Sequence, residues 1–238
     1  MISPHKLIFL LVLTTAVYAE TKIDKYTGTA TDLKTGKLIY TEEHEARYVD
    51  NVNVGSTITY RDGMKNVIGK KEITFVNSSS LVSFRREDYR FGTVESAELL
   101  LPGVRLAKKE GFLSEQKEKI ISAVTPMAID AGLNNLVRNS WNTLIQGENV
   151  TFNLAVPSQL DYYEFRVKKE REEIIQNRRT IVVRFESDHW FVRVFVDPVI
   201  VWYDFETRRA VRYEGISNIY NENGKSYIVR VTFDKPGP

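Results

Sequence analysis

The chain has 238 residues, with 33 lysines and arginines against 31 aspartates and glutamates, which gives a net charge of +2. This near balance excludes the basic excess of a nucleic-acid-binding protein and also an acidic interaction tail. The chain contains no cysteine, so disulfide redox chemistry, thiol catalysis and cysteine-ligated metal sites are excluded. A chain of this length buries enough surface to form one core without disulfides.

Residues 1–19 carry the pattern of a secretory signal peptide. Lys6 precedes a short apolar run over residues 7–13, and small residues lead to a cleavage site after Ala19. The run is shorter than the about 20 residues that cross a bilayer. We therefore expect residues 20–238 to form one soluble, exported β-rich domain in the periplasm or outside the cell, with no transmembrane segment.

Most of the exported part predicts β-strands, because aromatic and β-branched residues alternate with polar ones between turn residues. In the first half the predicted strands cover residues 26–30, 38–48, 57–60, 67–75, 81–89 and 97–101. In the second half they cover residues 150–156, 163–169, 180–186, 190–196, 199–205, 209–214 and 227–233.

One long amphipathic helix is predicted near residues 125–146. Thr125 suits the N-cap, Pro126 suits the first helical position and Gly147 suits the end of the helix. Between them an apolar stripe follows three- and four-residue spacing. Its members are Ile129, Leu133, Leu136, Val137, Trp141, Leu144 and Ile145. A second, shorter helix is expected over residues 114–124.

These elements predict a mainly β (α+β) fold. Sequential turns favour antiparallel pairing, and a lone amphipathic helix has to bury its stripe against the sheet. We expect a curved, partly closed antiparallel sheet of about a dozen strands packed around the one long helix.

Residues 190–203 form the most apolar stretch, and bulky apolar side chains occupy both faces of its predicted strands. Core packing explains this pattern. The alternative is a ligand cavity, since large aromatic side chains line apolar pockets well. The residues expected to line such a cavity are Trp141, Trp190, Phe195 and Trp202.

No catalytic residue, cofactor site or metal site is predicted. Glu42 and His44 fall on the same face of a predicted strand. They are the only neighbouring pair there that could bind a metal ion together. His189 lies in a predicted surface turn. No nucleophile elbow, zinc-binding helix motif, phosphate loop or dinucleotide fingerprint is present, which argues against an enzyme.

Three arginines lie between apolar neighbours on predicted strands: Arg184, Arg193 and Arg212. Alternation predicts that they face solvent. The alternative is that they face inward, where each could receive a carboxylate or phosphate group at a cavity mouth.

Two stretches resemble a known type of protein. Residues 156–167 read VPSQLDYYEFRV, and residues 212–219 read RYEGISNI ahead of GKSY at 224–227. Together they resemble uncharacterised secreted proteins of Gram-negative bacteria, a group with no assigned activity. In architecture alone, the predicted chain is similar to periplasmic lipoprotein carriers with a half-barrel fold, since it has an export signal followed by many strands and a helix.

The leading hypothesis from the sequence is a soluble periplasmic protein that binds a lipid-like or other apolar ligand. The first alternative is a scaffold protein with a filled core, whose sheet edge or outer face docks a cell-envelope protein. A hydrolase of envelope polymers is the less favoured alternative, and it would need two carboxylates about 5 to 9 Å apart in a cleft.

Overall fold

The computed structural model describes residues 20–77, 79–100, 102–187 and 198–237. Fifteen strands in these residues form one sheet, and two short helices pack against it. The predicted signal peptide and the predicted strand over residues 190–196 lie outside the described residues.

The strands predicted within the described residues are found, several with different bounds, and three further strands are present. Those of the first half are β1 Thr21–Asp32, β2 Leu38–Val49, β3 Val52–Arg61, β4 Val67–Phe75, β5 Val82–Asp88, β6 Thr93–Leu100, β7 Gly103–Lys109 and β8 Lys117–Ser122. Those of the second half are β9 Met127–Ile129, β10 Val150–Val156, β11 Asp161–Ile175, β12 Arg178–Ser187, β13 Val199–Asp204, β14 Ala210–Tyr220 and β15 Ser226–Phe233.

The sheet consists of two meanders joined side by side. Its order runs from β8 back to β1, then from β15 back to β9. Neighbouring strands are antiparallel except β9 and β10, which pair in parallel. Curvature brings the β8 edge towards β11, where the Lys119 Nζ atom lies 2.9 Å from an Asp161 carboxylate oxygen. The predicted mainly β, curved sheet is therefore confirmed.

The prediction of one long helix is wrong. The helical residues form α1, Gly132–Asn139, and α2, Trp141–Ile145, separated at Ser140. Ahead of them β9 is a buried strand that pairs with β10, and the Ile129 amide also donates to the Ser80 carbonyl at 3.0 Å. The pairing of β9 with β10 and the hydrogen bond to Ser80 outweigh the helical spacing of the apolar residues in this segment.

The predicted helix over residues 114–124 is also wrong, since this segment contains β8. Only Ile121 of β8 is buried, so the strand shows almost no alternation in hydrophobicity. Pairing with β7 along its whole length forms the strand.

Two hydrophobic clusters fill the inside of the structure. The larger one collects inward side chains of strands from both meanders, such as Tyr40, Tyr60, Ile68, Val82, Leu106 and Val229. The smaller one packs α1 and α2 on β10 to β13 through Val137, Trp141, Leu144, Phe152 and Val183. Side chains therefore fill most of the space between the helices and the sheet.

The turn from β9 into α1 is held by a buried ion pair. Lys71 on β4 places its Nζ atom 2.8 Å from both carboxylate oxygens of Asp130. The Asp130 backbone has a φ of +44°, and its carboxylate also accepts the Ala131 amide at 2.7 Å. This residue ends β9 and sets the direction in which α1 starts.

Replacing Asp130 with Asn should destabilise the fold by about 3–5 kcal/mol, because it leaves the buried Lys71 cation without its partner. Asparagine tolerates a positive φ as aspartate does, so the backbone is matched. The control is Glu72→Gln, whose carboxylate pairs with Lys70 in solvent and should change stability by about 0–1 kcal/mol. Urea unfolding measures both, and equal losses would contradict the role of the ion pair.

Gly132 allows α1 to start against the loop before β5. A Cβ atom at this residue would lie 1.9 Å from the Ser80 carbonyl oxygen. Gly132→Ala should therefore destabilise the protein by about 1–3 kcal/mol, although alanine favours helices by about 1 kcal/mol over glycine. Gly63→Ala is the control, since a Cβ atom there meets nothing within 4 Å. Stabilisation by Gly132→Ala in thermal unfolding would contradict this packing.

Candidate functional site

A pocket of about 100 Å³ lies between α1 and the inner side of the sheet. Most of its wall is apolar, with side chains from β3, β4 and β15: Ile58, Ile73, Phe75 and Phe233. Ala131, Ala210 and Gly237 complete the apolar wall, and the polar residues are Tyr26, His44, Ser56, Asn134 and Arg138.

The strand register builds the floor of this pocket. Tyr26 on β1 lies opposite His44 on β2, and His44 lies opposite Ile58 on β3. In the next row Ser56 lies opposite Ile73 on β4. Because directly opposite residues of antiparallel strands share a face, two adjacent rows of side chains point towards α1.

Glu42 and His44 form a buried carboxylate–histidine pair, in which His44 lines the floor of the pocket and Glu42 lies behind it. The His44 Nε2 atom lies 2.8 Å from a Glu42 carboxylate oxygen, and both residues are less than 10% exposed. Tyr26 stacks on the His44 ring with 4.2 Å between centroids, and Phe233 meets that ring edge-on. The prediction that Glu42 and His44 share a face is confirmed.

The geometry of this pair does not extend to a catalytic triad. The Ser56 hydroxyl is buried and has no hydrogen-bond partner, so it is not bonded to His44 as a nucleophile would be to its base. Among the described residues no group of three or more metal-binding side chains converges.

Side chains rather than helix caps hold α1 above the pocket. Asn134 accepts a hydrogen bond of 2.9 Å from the Tyr203 hydroxyl. Asn135 donates to the Ser79 carbonyl at 2.7 Å and accepts from the Arg138 guanidinium. The polar side of α1 is thus turned partly to the interior.

Arg138 is a half-buried cation at the pocket. Burial lowers the pKa of its guanidinium, while Tyr203, Tyr48 and Tyr26 oppose that effect and Arg209 adds to it. An arginine stays protonated at neutral pH even so.

The three tyrosines near Arg138 supply no negative charge. Burial raises the pKa of the hydroxyls of Tyr26, Tyr48 and Tyr203 above the ordinary value. For Tyr26 the nearby Glu42 carboxylate raises the pKa further. All three hydroxyls are therefore neutral at pH 7.

The two described residues of the predicted cavity do not meet. Trp141 is buried in the smaller cluster, edge-on to Phe205. Trp202 lies on the opposite face of the sheet with Val182 and Val211, and its indole donates to Glu173 at 2.6 Å. Neither lines the pocket. The other two members of the predicted set, Trp190 and Phe195, lie outside the described residues.

The predicted outward orientation is confirmed for Arg184 and Arg212. Arg184 pairs with Glu170, and Arg212 lies over the Trp202 ring on the outer face. Arg193 and His189 lie outside the described residues.

The pocket includes Arg138, a residue that is not part of the apolar stripe of the predicted helix. Its helical position, opposite the apolar stripe, gives no sign that the polar side also meets the sheet. Composition gives the one indication of buried polar contacts in this helix, since three asparagines accompany Arg138 over residues 134–139.

No protein-family model matches the chain, and no curated protein matches it. The resemblance to uncharacterised secreted proteins therefore has no support from these sequence comparisons. Among solved structures, the chain is similar to a DUF1329 family protein from Desulfovibrio piger, with 8% identity and a TM-score of 0.32 over 91% of this chain and 85% of that one.

The chain is also similar to a putative outer membrane lipoprotein-sorting protein domain from Vibrio parahaemolyticus. Identity is 8% and the TM-score 0.30, over 90% of this chain and 83% of that one. Likeness at this level carries no inference about function.

None of the helices in the described ranges has the length and apolar character needed to cross a membrane.

Proposed function

We propose that the protein is an exported binding protein that takes a small apolar or lipid-like ligand into the pocket under α1. The observation that carries the proposal is the wall of this pocket, which is apolar on most sides and has a few convergent polar groups. That combination is typical of small-molecule sites. The export pattern of residues 1–19 supports a periplasmic location.

The volume of the pocket limits what it can enclose. At about 100 Å³ it is smaller than the engineered cavity of about 150 Å³ that holds a benzene ring. A whole lipid chain does not fit. The ligand is therefore a short-chain molecule, or a longer one that inserts a single end.

A filled core with a docking edge is the second candidate. The side chains that fill most of the space under the helices favour it, and Phe112, Leu113 and Ile120 are largely exposed around the β8 edge. However, β8 also carries Lys117, Glu118 and Lys119, and charged residues protect an edge strand from pairing. The ligand-binding proposal therefore ranks first.

A hydrolase ranks below both candidates. Among the described residues that line the pocket there is no carboxylate. The buried Glu42 carboxylate behind it is engaged by His44, so the two facing carboxylates of a glycosidase are not found in this pocket.

Filling the pocket should abolish binding. We expect 1-hexanol to shift amide resonances of β1 to β4 and α1 in the NMR spectrum of the wild-type protein, and Ala131→Leu to remove these shifts. Ala210→Leu, at another lining residue, is a second filling variant. Ala123→Leu is the matched control, since Ala123 is also half-buried but lies outside the pocket.

Hexanol shifts that persist in both folded filling variants would contradict the pocket as the site. Absence of shifts in the wild-type protein, with hexanol and with its carboxylate analogue hexanoate alike, would contradict the proposed function and favour the filled-core alternative.

A further inference from the structure

We propose that the ligand is an anion: the pocket selects a short-chain carboxylate, which Arg138 binds through its guanidinium. This inference rests on the proposed function and names the chemical class of its ligand.

The first observation is that Arg138 lacks a counter-charge. Within the described residues it forms no ion pair, and its one hydrogen-bond partner is the neutral amide oxygen of Asn135. Its tyrosine neighbours are neutral and its neighbour Arg209 is a cation. Burying part of a charge without a partner costs free energy, which a bound anion would offset.

The neighbouring cation does not share this condition. Arg209 lies 3.5 Å from the Asp24 carboxylate and donates to the Tyr48 hydroxyl at 3.2 Å. The Asp24 carboxylate, which also pairs with Lys235 at 2.6 Å, is a counter-charge near Arg209, whereas Arg138 has none among the described residues. Arg138 is therefore the group that an anion would meet.

The second observation is a surplus of donors around the same space. The Ser56 hydroxyl is buried without a partner, and the oxygen of the Asn134 amide is already engaged by Tyr203, which leaves the amide nitrogen as a donor. No carboxylate lines the pocket in the described part of the chain. The polar wall thus offers hydrogen-bond donors and a cation, the complement of a carboxylate.

Charge and hydrogen-bond geometry favour a carboxylate over a phosphate ester. One guanidinium can pair with the two oxygens of a carboxylate in a bidentate arrangement. A phosphate monoester carries about −1.5 to −2 charges at pH 7, more than Arg138 alone balances. The apolar wall of Ile58, Ile73 and Phe75 then contacts the short chain.

The test compares three probes of the same chain length by isothermal titration calorimetry at pH 7.5: hexanoate, 1-hexanol and hexyl phosphate. Because a hydrogen bond to a charged group contributes more than a neutral one, hexanoate should bind the wild-type protein about tenfold to a hundredfold more tightly than hexanol. Hexyl phosphate should bind more weakly than hexanoate.

Arg138→Met keeps the volume of the side-chain stem and removes the charge. It should lose the preference for hexanoate while hexanol affinity stays within about threefold, and Arg138→Lys should restore part of the preference. Arg208→Met is the matched control, because Arg208 is exposed over Trp141 and outside the pocket. It should keep the full preference.

The outcomes separate the two proposals. If neither hexanol nor hexanoate binds, the proposed function itself fails. If hexanol binds and hexanoate binds no more tightly, or if folded Arg138→Met keeps the preference, the anion inference alone is overturned. Tighter binding of hexyl phosphate than of hexanoate would also overturn the carboxylate assignment.

Discussion

The buried ion pair between Lys71 and Asp130 connects the two halves of this structure. It joins a central strand of the first meander to the turn that ends β9 and begins α1. The pair fixes where α1 lies over the sheet, and α1 in turn supplies one wall of the pocket. Because a buried charge needs its partner, the position of the helix depends on this contact more than on helix capping, and neither helix has a side-chain cap.

Most strands whose inward and outward residues alternate could be predicted from the sequence, although β7 was not. The prediction over residues 67–75 matches β4, and that over residues 150–156 matches β10. The strands without alternation could not be predicted: β8 buries one residue, and β9 buries all three. Their conformation comes from pairing with strands distant in sequence, which outweighs local preference.

The candidate site was predictable only in part. Strand alternation placed Glu42 and His44 on one face, and they meet there. The large aromatic residues did not indicate the position of the pocket. A strand that is apolar on both faces packs on both sides of the sheet, and Trp202 packs on the outer side. Arg138 was missed for the opposite reason, since helical spacing separates polar from apolar faces but does not tell which polar residues a curved sheet will cover.

The most direct test of this account is an NMR measurement of intermolecular contacts in the protein with hexanoate bound. We expect nuclear Overhauser effects from the hexanoate chain to the side chains of Ile58 and Ile73, together with a shift of the Arg138 Nε–H resonance. Contacts confined to exposed residues such as Leu113 or Ile120, with the Arg138 resonance unchanged, would contradict it.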